Sequence, residues 1–355
     1  MTYRAKTRLI QVDPHHPQAE VVEYAAAVIR SGGLVAFPTE TVYGLGASAL
    51  DGAAVARIFE AKGRPASDPL IVHIADLDQL AQVARDIPPL AETLAEQFWP
   101  GPLTLVLRKR AAIPTTVTAG RETVAVRMPA HPVALALIRA AGPIAAPSAN
   151  RFARPSPTRA GHVMDDLSGR IDVVLDGGPV PIGVESTVLN LTTRPPAVLR
   201  PGGTPLEALR EFIPDVRVET RYLQTGSTEA LAPGMMLKHY SPEAEVLLFD
   251  GPREAVLIRM VRAARELTAV GRRVGVMAPD DDLTAFAGLA VETAPLGEEA
   301  DLPGVAQALF NALRDLDSRG VEVILARGLA REGLGLAIWD RLLRSAEGRV
   351  ITVEE

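Results

Sequence analysis

The chain has 355 residues, 47% apolar and 23% charged, with 43 acidic and 37 basic side chains and a net charge of −6. This balance predicts a folded protein with a sizeable core and excludes intrinsic disorder. The absence of cysteine excludes disulfides, thiol nucleophiles and thiolate-ligated metal sites. No apolar run reaches the roughly 18–20 residues of a membrane span, and the first residues lack the apolar stretch of a secretory signal, so we expect a cytoplasmic protein.

Charge is unevenly spread along the chain. Residues 1–204 carry 20 basic and 18 acidic side chains, whereas residues 205–355 carry 17 and 25. A near-neutral part joined to an acidic part favours two domains. Neither part has the basic excess that is typical of nucleic-acid-binding domains.

The first 221 residues predict a mixed α/β domain. Apolar residues at helical spacing predict helices at 18–31, 53–62 and 131–142. Short apolar or β-branched runs predict strands at 34–37, 69–74, 103–109, 123–129, 143–149, 172–178, 186–192 and 196–203. Small polar residues, proline or glycine end most of these strands, a pattern typical of a ligand crevice in an α/β protein.

The pattern of apolar and polar residues changes after residue 221. Residues 222–242 are irregular and rich in small residues, which predicts an interdomain linker. From 243 to 355, strands alternate with helices, which predicts a small Rossmann-like parallel α/β domain.

The segment FPTETVYGLGASA (37–49) places hydroxyl and carboxyl side chains between a strand and two glycines. Glycine lets a backbone approach a ligand closely, and hydroxyls can hydrogen-bond to the ligand. The alternative is a turn followed by a helix, with Thr39 as the cap and Glu40 in the first turn.

The segment KGRPASDPLIVHI (62–74) brings Lys62, Arg64 and Asp68 into a glycine- and proline-containing loop, followed by His73 on an apolar strand. Two cations on such a loop are suited to holding phosphates. The alternatives are a solvated surface turn for the cations and an ordinary core position for the histidine. Because the cations and the histidine all occur within twelve residues, a ligand site is favoured over these alternatives.

Further polar residues lie at or just beyond the ends of predicted strands. Ser148, Asn150, Ser156 and Thr158 lie among prolines in a loop that follows a predicted strand, and Ser186 and Arg200 lie at strand boundaries. Arg127 stands in a strand of apolar neighbours, where a guanidinium requires an anionic partner or a cleft.

Several motifs of other chemistries are missing. The sequence has no phosphate-binding G-x-x-x-x-G-K-[ST], no G-x-S-x-G, no H-E-x-x-H and no H-x-E…C-x-x-C. These absences argue against P-loop, serine-hydrolase, zinc-protease and zinc-deaminase chemistry. They favour adenylyl or acyl transfer by positioning and electrostatics.

The ordered motifs resemble a known family. PTETVYGLG, KGRP, DPLIVHI, FWPGPLTLVL, VAVRMP, PSAN, RPSPT, ESTV and VLRPG occur in the order of the YrdC-like domain. KHYSP and the second α/β unit make the chain similar to the two-domain Sua5 type over about residues 15–345. This resemblance implies a YrdC-like twisted mixed sheet with helices over 1–221, a linker over the active site at 222–242, and a C-terminal Sua5 domain at 243–355.

The resemblance also implies an activity. Members of the family are threonylcarbamoyl-AMP synthases, nucleotidyltransferases that convert L-threonine, bicarbonate or CO2, and ATP into threonylcarbamoyl-adenylate and pyrophosphate. Mg²⁺ would accompany the ATP, without a metal site built by the protein alone. The product would pass to a threonylcarbamoyl transferase complex for the t6A37 modification of tRNAs that read ANN codons. We expect no membrane association and no stable nucleic-acid binding.

Site residues carry over from the same motifs. Those implied for L-threonine are Thr41, His73, Arg127 and Ser186. Those implied for ATP are Lys62, Arg64, Asp68, Thr123, Ser148, Asn150, Ser156, Arg200 and Tyr240. Lys62 and Arg64 are the candidate catalytic residues, because they would neutralise charge as the anions meet. The general base stays unassigned, with His73 as a candidate and a binding role for His73 as the alternative.

Two other functions compete with this interpretation. The first is an RNA-binding or ribosome-assembly factor, which the acidic second part and the lack of a basic, aromatic face oppose. The second is a carbamoyl-adenylate-forming maturation factor for hydrogenases, which the missing acylphosphatase and zinc-finger segments oppose.

Overall fold

The computed structural model describes residues 6–219 and 240–354 of the chain. These residues divide into two compact units, of which the second also takes in two short segments from earlier in the chain. The predicted linker lies outside the described residues except for 240–242. The first unit comprises 6–152, 156–181 and 185–219, and the second comprises 153–155, 182–184 and 240–354.

The first unit is built on one mixed β-sheet, which confirms the predicted fold class. Its strands are β1 (Arg8–Gln11), β2 (Val35–Phe37), β3 (Gly44–Ser48), β4 (Ile71–His73), β5 (Ala84–Arg85), β6 (Leu103–Lys109), β7 (Thr123–Arg127), β8 (Ile144–Ala145), β9 (Val173–Asp176), β10 (Thr187–Asn190), β11 (Ala197–Arg200) and β12 (Arg217–Val218). They are ordered β1-β9-β2-β3-β8-β4-β7-β6-β10-β11-β12, and β5 pairs with β6. Neighbouring strands include both parallel pairs, such as β4 with β7, and antiparallel pairs, such as β6 with β7.

Helices cover this sheet. They are α1 (Ala19–Arg30), α2 (Gly52–Lys62), α3 (Leu77–Val83), α4 (Pro89–Phe98), α5 (Thr115–Thr118), α6 (Pro132–Ala141), α7 (Ala160–Leu167) and α8 (Leu206–Arg210). α2 shows how local sequence sets a boundary: the Asp51 carboxylate accepts hydrogen bonds from the first amides, and Gly63 ends the helix at φ 66°. The cation Lys62 is therefore the last helical residue rather than part of a loop.

The second unit is a parallel α/β domain, also as predicted. Its strands are β13 (Glu245–Asp250), β14 (Val274–Ala278), β15 (Glu292–Pro295), β16 (Val323–Arg327) and β17 (Val350–Thr352), in the order β15-β14-β16-β13-β17. Its helices are α9 (Arg253–Ala269), α10 (Asp280–Leu283), α11 (Leu302–Ser318) and α12 (Gly335–Ser345). Every strand pair recorded in this sheet is parallel, as expected where helices connect successive strands.

One segment differs from its prediction. The sequence did not indicate a strand at 44–48, but Gly44 and Gly46 lie in β3, antiparallel to β2. A Cβ atom at Gly46 would stand 2.7 Å from the Ile144 side chain and 2.8 Å from the Phe37 ring. Glycine is required there by packing within the protein.

In the described ranges, no helix combines the length and the apolar character that crossing a bilayer requires.

Candidate functional site

Arg127 lies at the end of β7 and is 3% exposed. Its Nε donates to the Gly101 carbonyl at 3.1 Å, and its Nη1 donates to the Thr41 hydroxyl at 2.9 Å. Its Nη2 lies 2.6 Å from a carboxylate oxygen of Glu40. The anionic partner that an arginine among apolar residues requires is therefore Glu40, which one of the two sequence interpretations assigned to the first turn of a helix.

The loop that carries Glu40 and Thr41 is fixed by Thr39. The Thr39 hydroxyl donates to the Val42 carbonyl at 2.6 Å and accepts from the amides of Thr41 and Val42 at 3.2 and 3.3 Å. The alternative of a helix cap is wrong, because this loop joins β2 to β3 without a helix. The loop instead holds Thr41 and Glu40 against Arg127.

His73 pairs with Arg127 in the register of the parallel strands β4 and β7. Its ring is buried and meets the edge of the Phe37 ring at a centroid distance of 6.4 Å. Burial, and to a lesser degree the positive charge of Arg127, lower the pKa of His73 to about 3. The imidazole is therefore neutral near pH 7, which suits hydrogen bonding to a substrate and makes it a poor general base.

Lys62 ties α2 to the loop that follows β8. Its ammonium group donates to the backbone carbonyls of Ser148 at 2.6 Å and Asn150 at 2.5 Å. The side chain is only 3% exposed. This burial excludes the solvated-turn alternative for Lys62.

Arg64 and Asp68 form a buried ion pair, with 2.8 Å between the guanidinium and the carboxylate. Arg64 also donates to the carbonyls of Asp68 and Pro69, at 3.2 and 3.0 Å. Burial raises the pKa of Asp68, against opposing effects from the charges of Arg64, Lys62, Arg200 and Arg121. Four cationic side chains therefore act on one carboxylate.

Arg121 is a member of this cluster that the sequence interpretation missed. Its Nη1 donates to the Thr118 carbonyl at 3.2 Å. Burial lowers the pKa of Arg121, and the charge of Asp68 partly opposes that effect. The sequence does contain a feature that could have indicated Arg121: Gly120 precedes it shortly before strand β7, much as Gly63 precedes Arg64.

Arg200 contacts Ser186 and belongs to the cationic cluster around Asp68. It donates to the Ser186 carbonyl at 2.9 Å and to the Ser186 hydroxyl at 3.2 Å, while its charge acts on Asp68. The Ser186 hydroxyl also shares a hydrogen bond of 2.8 Å with Thr104, a second residue that the sequence did not single out. A Cβ atom at Gly202 would stand 2.3 Å from the Glu185 carbonyl, so only glycine lets Arg200 and Ser186 come so close.

Three further residues that the sequence singled out are Ser156, Thr123 and Thr158. Ser156 is buried and its hydroxyl donates to the Glu185 carboxylate, next to Ser186. Thr123 begins β7, four residues before Arg127, and is partly exposed. Thr158 is buried, and its amide donates to the ring of His162 at 3.3 Å.

Tyr240 belongs to the second unit, where it is fully buried. Its ring lies 5.3 Å from that of Phe310 and 5.1 Å from the guanidinium of Arg341. Its carbonyl accepts a hydrogen bond of 2.9 Å from Ser345. These contacts anchor Tyr240 within its own unit, and its contact with ATP stays a prediction.

Two subsites result in the first unit. His73 and Arg127 are the last residues of the paired strands β4 and β7. Asp68 and Arg121 lie just before the first residues of the same two strands. Adjacent strand residues are about 3.3 Å apart along the strand, so the subsites lie within the length of a small ligand. One can hold a carboxylate, and the other can attract a polyanion.

Comparisons with known proteins identify the family of the chain. A family model described as telomere recombination (Sua5_yciO_yrdC) matches residues 27–202, and one described as threonylcarbamoyl-AMP synthase, C-terminal domain, matches 204–347. Among curated proteins, the threonylcarbamoyl-AMP synthase of Pyrococcus abyssi is 49% identical, over 94% of this chain and 96% of its own length. That of Bacillus subtilis is 47% identical, over 93% and 94%.

Solved structures give the same result. The crystal structure of P. abyssi Sua5 complexed with L-threonine is 48% identical, covers 98% of this chain and 100% of its own, and superposes with a TM-score of 0.92. Escherichia coli YciO is 27% identical, covers 55% of this chain and 96% of its own, and has a TM-score of 0.50. The motifs, both domains and these relatives together show that the chain belongs to the Sua5-type threonylcarbamoyl-AMP synthase family, with a YrdC-like domain followed by a C-terminal Sua5 domain.

Proposed function

We propose that this chain condenses L-threonine, bicarbonate or CO2, and ATP into threonylcarbamoyl-adenylate and pyrophosphate. The product would serve a downstream threonylcarbamoyl transferase complex in the t6A37 modification of tRNAs that read ANN codons. The observation that carries the proposal is the presence in one unit of a buried arginine, Arg127, in contact with a carboxylate, and of four cations that act on the buried carboxylate of Asp68. The names of the similar proteins and the threonine complex of one of them support it.

The Arg127 subsite would hold L-threonine. A guanidinium presents paired donors that match a carboxylate, and burial strengthens that contact by excluding water. Thr41, the neutral ring of His73 and the hydroxyl of Ser186 offer hydrogen bonds for the remaining polar groups of the amino acid. Orienting the amine in this way would remove much of the entropy cost of bringing the reactants together.

The cationic cluster would hold ATP. Lys62, Arg64 and Arg200 would act together with Arg121 on the phosphates, and Asp68, Thr123, Ser148, Asn150 and Ser156 would complete the nucleotide site. As the threonine carbamate attacks the α-phosphate and pyrophosphate leaves, negative charges approach one another. Cations that are already fixed by backbone carbonyls stabilise that arrangement without reorganising.

Mg²⁺ would arrive with ATP. No group of three His, Asp or Glu side chains in the described part of the chain could hold a metal ion. Phosphate oxygens of ATP would bind the metal, which would add positive charge at the phosphates.

Pyrophosphate release by the purified full-length chain tests the proposal. We expect release to require L-threonine, bicarbonate and ATP together. Serine should support it more weakly, because one missing methyl contact typically changes discrimination by about 1–3 kcal/mol. Mass spectrometry should detect threonylcarbamoyl-adenylate. Release that continues undiminished without threonine would show that the chain is a different nucleotide-cleaving enzyme.

A further inference from the structure

The carboxylate of Glu40 is a buried charge whose hydrogen bonds are incomplete. The residue is 7% exposed, and neither carboxylate oxygen has a hydrogen-bond partner in the described part of the chain. The ion contact of 2.6 Å with Arg127 lacks hydrogen-bond geometry, since Arg127 Nη2 is also without a partner there. Buried polar groups in native proteins are nearly always satisfied, so this site has unused capacity for a polar ligand.

His73 adds a third unsatisfied group beside the same arginine. Its Nδ1 is buried and has no hydrogen-bond partner among the described residues. Because the ring is neutral near pH 7, His73 can offer a hydrogen bond but no counter-charge to a cation. Glu40 is then the anionic group in contact with Arg127.

The pair of Glu40 and Arg127 is complementary in charge to an α-amino acid. An amino acid carries a carboxylate and an ammonium group close together, and the pair presents a cation and an anion 2.6 Å apart. We propose that Glu40 binds the ammonium group of L-threonine while Arg127 binds its carboxylate, and that Glu40 then accepts the proton which the ammonium group loses. The assignment rests on the proposed function and adds a catalytic residue to it.

The proton balance of carbamate formation requires such an acceptor. Threonine ammonium and bicarbonate give the N-carboxylate, one water and one proton; the new bond is N–C, and a C–O bond of bicarbonate breaks. The carboxylate of Glu40 takes that proton and becomes neutral as the carbamate anion forms beside it. The site therefore avoids two adjacent anions at the moment when the carbamate must attack ATP.

The competing explanation is that Glu40 serves only as a counter-ion that keeps Arg127 in place. Both explanations predict some loss of stability when Glu40 is changed. They differ in what the ligand's amine contributes. Only an ammonium-binding Glu40 makes the preference for L-threonine over the same molecule without its amine, (R)-3-hydroxybutanoate, depend on the charge of Glu40.

Calorimetric titration of both ligands into the full-length chain and its Glu40→Gln variant separates these explanations. We expect the wild type to prefer threonine by about 10- to 100-fold, the range of a charge-assisted hydrogen bond. Glu40→Gln should lose most of this preference while binding (R)-3-hydroxybutanoate at least as well. Glu96→Gln, at an exposed position of the same unit, is the matched control and should keep the preference.

Glu40→Asp keeps the charge and should retain part of the preference for L-threonine. This second variant keeps the assignment testable where Glu40→Gln does not fold. Retained ATP binding verifies folding of each variant. With threonine and ATP saturating, pyrophosphate release in a single turnover should be slower in Glu40→Gln by about 10-fold or more.

An unchanged preference in Glu40→Gln, or a wild type that binds both ligands equally well, would overturn the assignment. A wild type that binds neither ligand would instead overturn the proposed function.

Discussion

Arg127 and Lys62 are both buried cations, but different partners hold them. Arg127 contacts a carboxylate and a hydroxyl, whereas Lys62 is held by two backbone carbonyls. A carboxylate partner can be exchanged for a ligand's carboxylate, while backbone carbonyls stay in place and keep the ammonium group fixed. The two residues should therefore affect different substrates.

Arg127→Gln should impair threonine binding, and Lys62→Gln should impair ATP binding. A charge-assisted, buried hydrogen bond contributes about 1.5–3 kcal/mol, or about one to two orders of magnitude in affinity. Titration of each ligand into each variant measures the effect, with the exposed Arg139→Gln as control. Equal losses of both ligands in both variants would show that the two subsites are not separate.

His73 should make the protein less stable in acid. Its folded-state pKa of about 3 lies below the ordinary value, which is about 6.5 in unfolded chains. Between these values the unfolded state binds the additional proton, so the free energy of unfolding falls as pH falls, by up to about 1.4 kcal/mol per pH unit.

Denaturant titrations across this range measure the dependence on pH. His73→Asn should flatten it by the contribution of one proton, whereas the exposed His16→Asn should leave it unchanged. A wild-type slope retained in His73→Asn would assign the acid sensitivity to other groups.

Tyr240 combines a structural contact with a predicted functional one. Because its ring is fully buried against Phe310, Tyr240→Ala should lower the stability of the second unit by about 3–5 kcal/mol. Tyr240→Phe keeps the ring and should leave the thermal midpoint close to that of the wild type. If the tyrosine hydroxyl contacts ATP, Tyr240→Phe should still weaken ATP binding in a titration; unchanged binding would leave Tyr240 as a packing residue.

At the scale of elements, the sequence predicted strands best where branched residues form apolar runs. β6 and β7 begin where the sequence indicates, at Leu103 and Thr123. β3 was missed because GLGAS has little strand propensity, and its pairing with β2 depends on tertiary packing.

The contacts of the site could not be read from the sequence for a similar reason. Glu40 and Arg127 meet because the β2–β3 loop reaches the end of β7, and the pairing of His73 with Arg127 depends on the register of β4 and β7. Residue types at strand ends indicated a site, but only the sheet order decides which of them meet.

Gly46→Ala tests whether packing explains the glycine in β3. The new methyl group would stand 2.7 Å from Ile144 and 2.8 Å from Phe37, and overpacking of this kind costs about 1–3 kcal/mol. Gly161→Ala is the matched control, because it lies in α7 with no atom within 4 Å of its added carbon, and it should be neutral or stabilising by up to about 1 kcal/mol. Thermal unfolding of both variants gives the comparison; equal midpoints would contradict the packing explanation.

At the scale of the whole molecule, charge separates the proposed enzyme from the competing RNA-binding factor. The chain carries a net charge of −6, and its acidic excess falls in residues 205–355. The buried cations of the first unit are engaged with carbonyls and carboxylates rather than arrayed on a surface. A focused pocket of this kind can attract a nucleotide without attracting a nucleic-acid backbone.

Fluorescence anisotropy with labelled tRNA tests this distinction. We expect no binding tighter than the non-specific range of about 10⁻⁴–10⁻⁶ M, and only a shallow dependence on salt, because few phosphates would be neutralised. ATP titrated under the same buffer conditions provides the positive control. Tight binding that weakens about 10³-fold or more between 50 and 200 mM salt would require a cationic surface contacting six or more phosphates. That result would favour a direct role on tRNA over the release of a small-molecule adenylate.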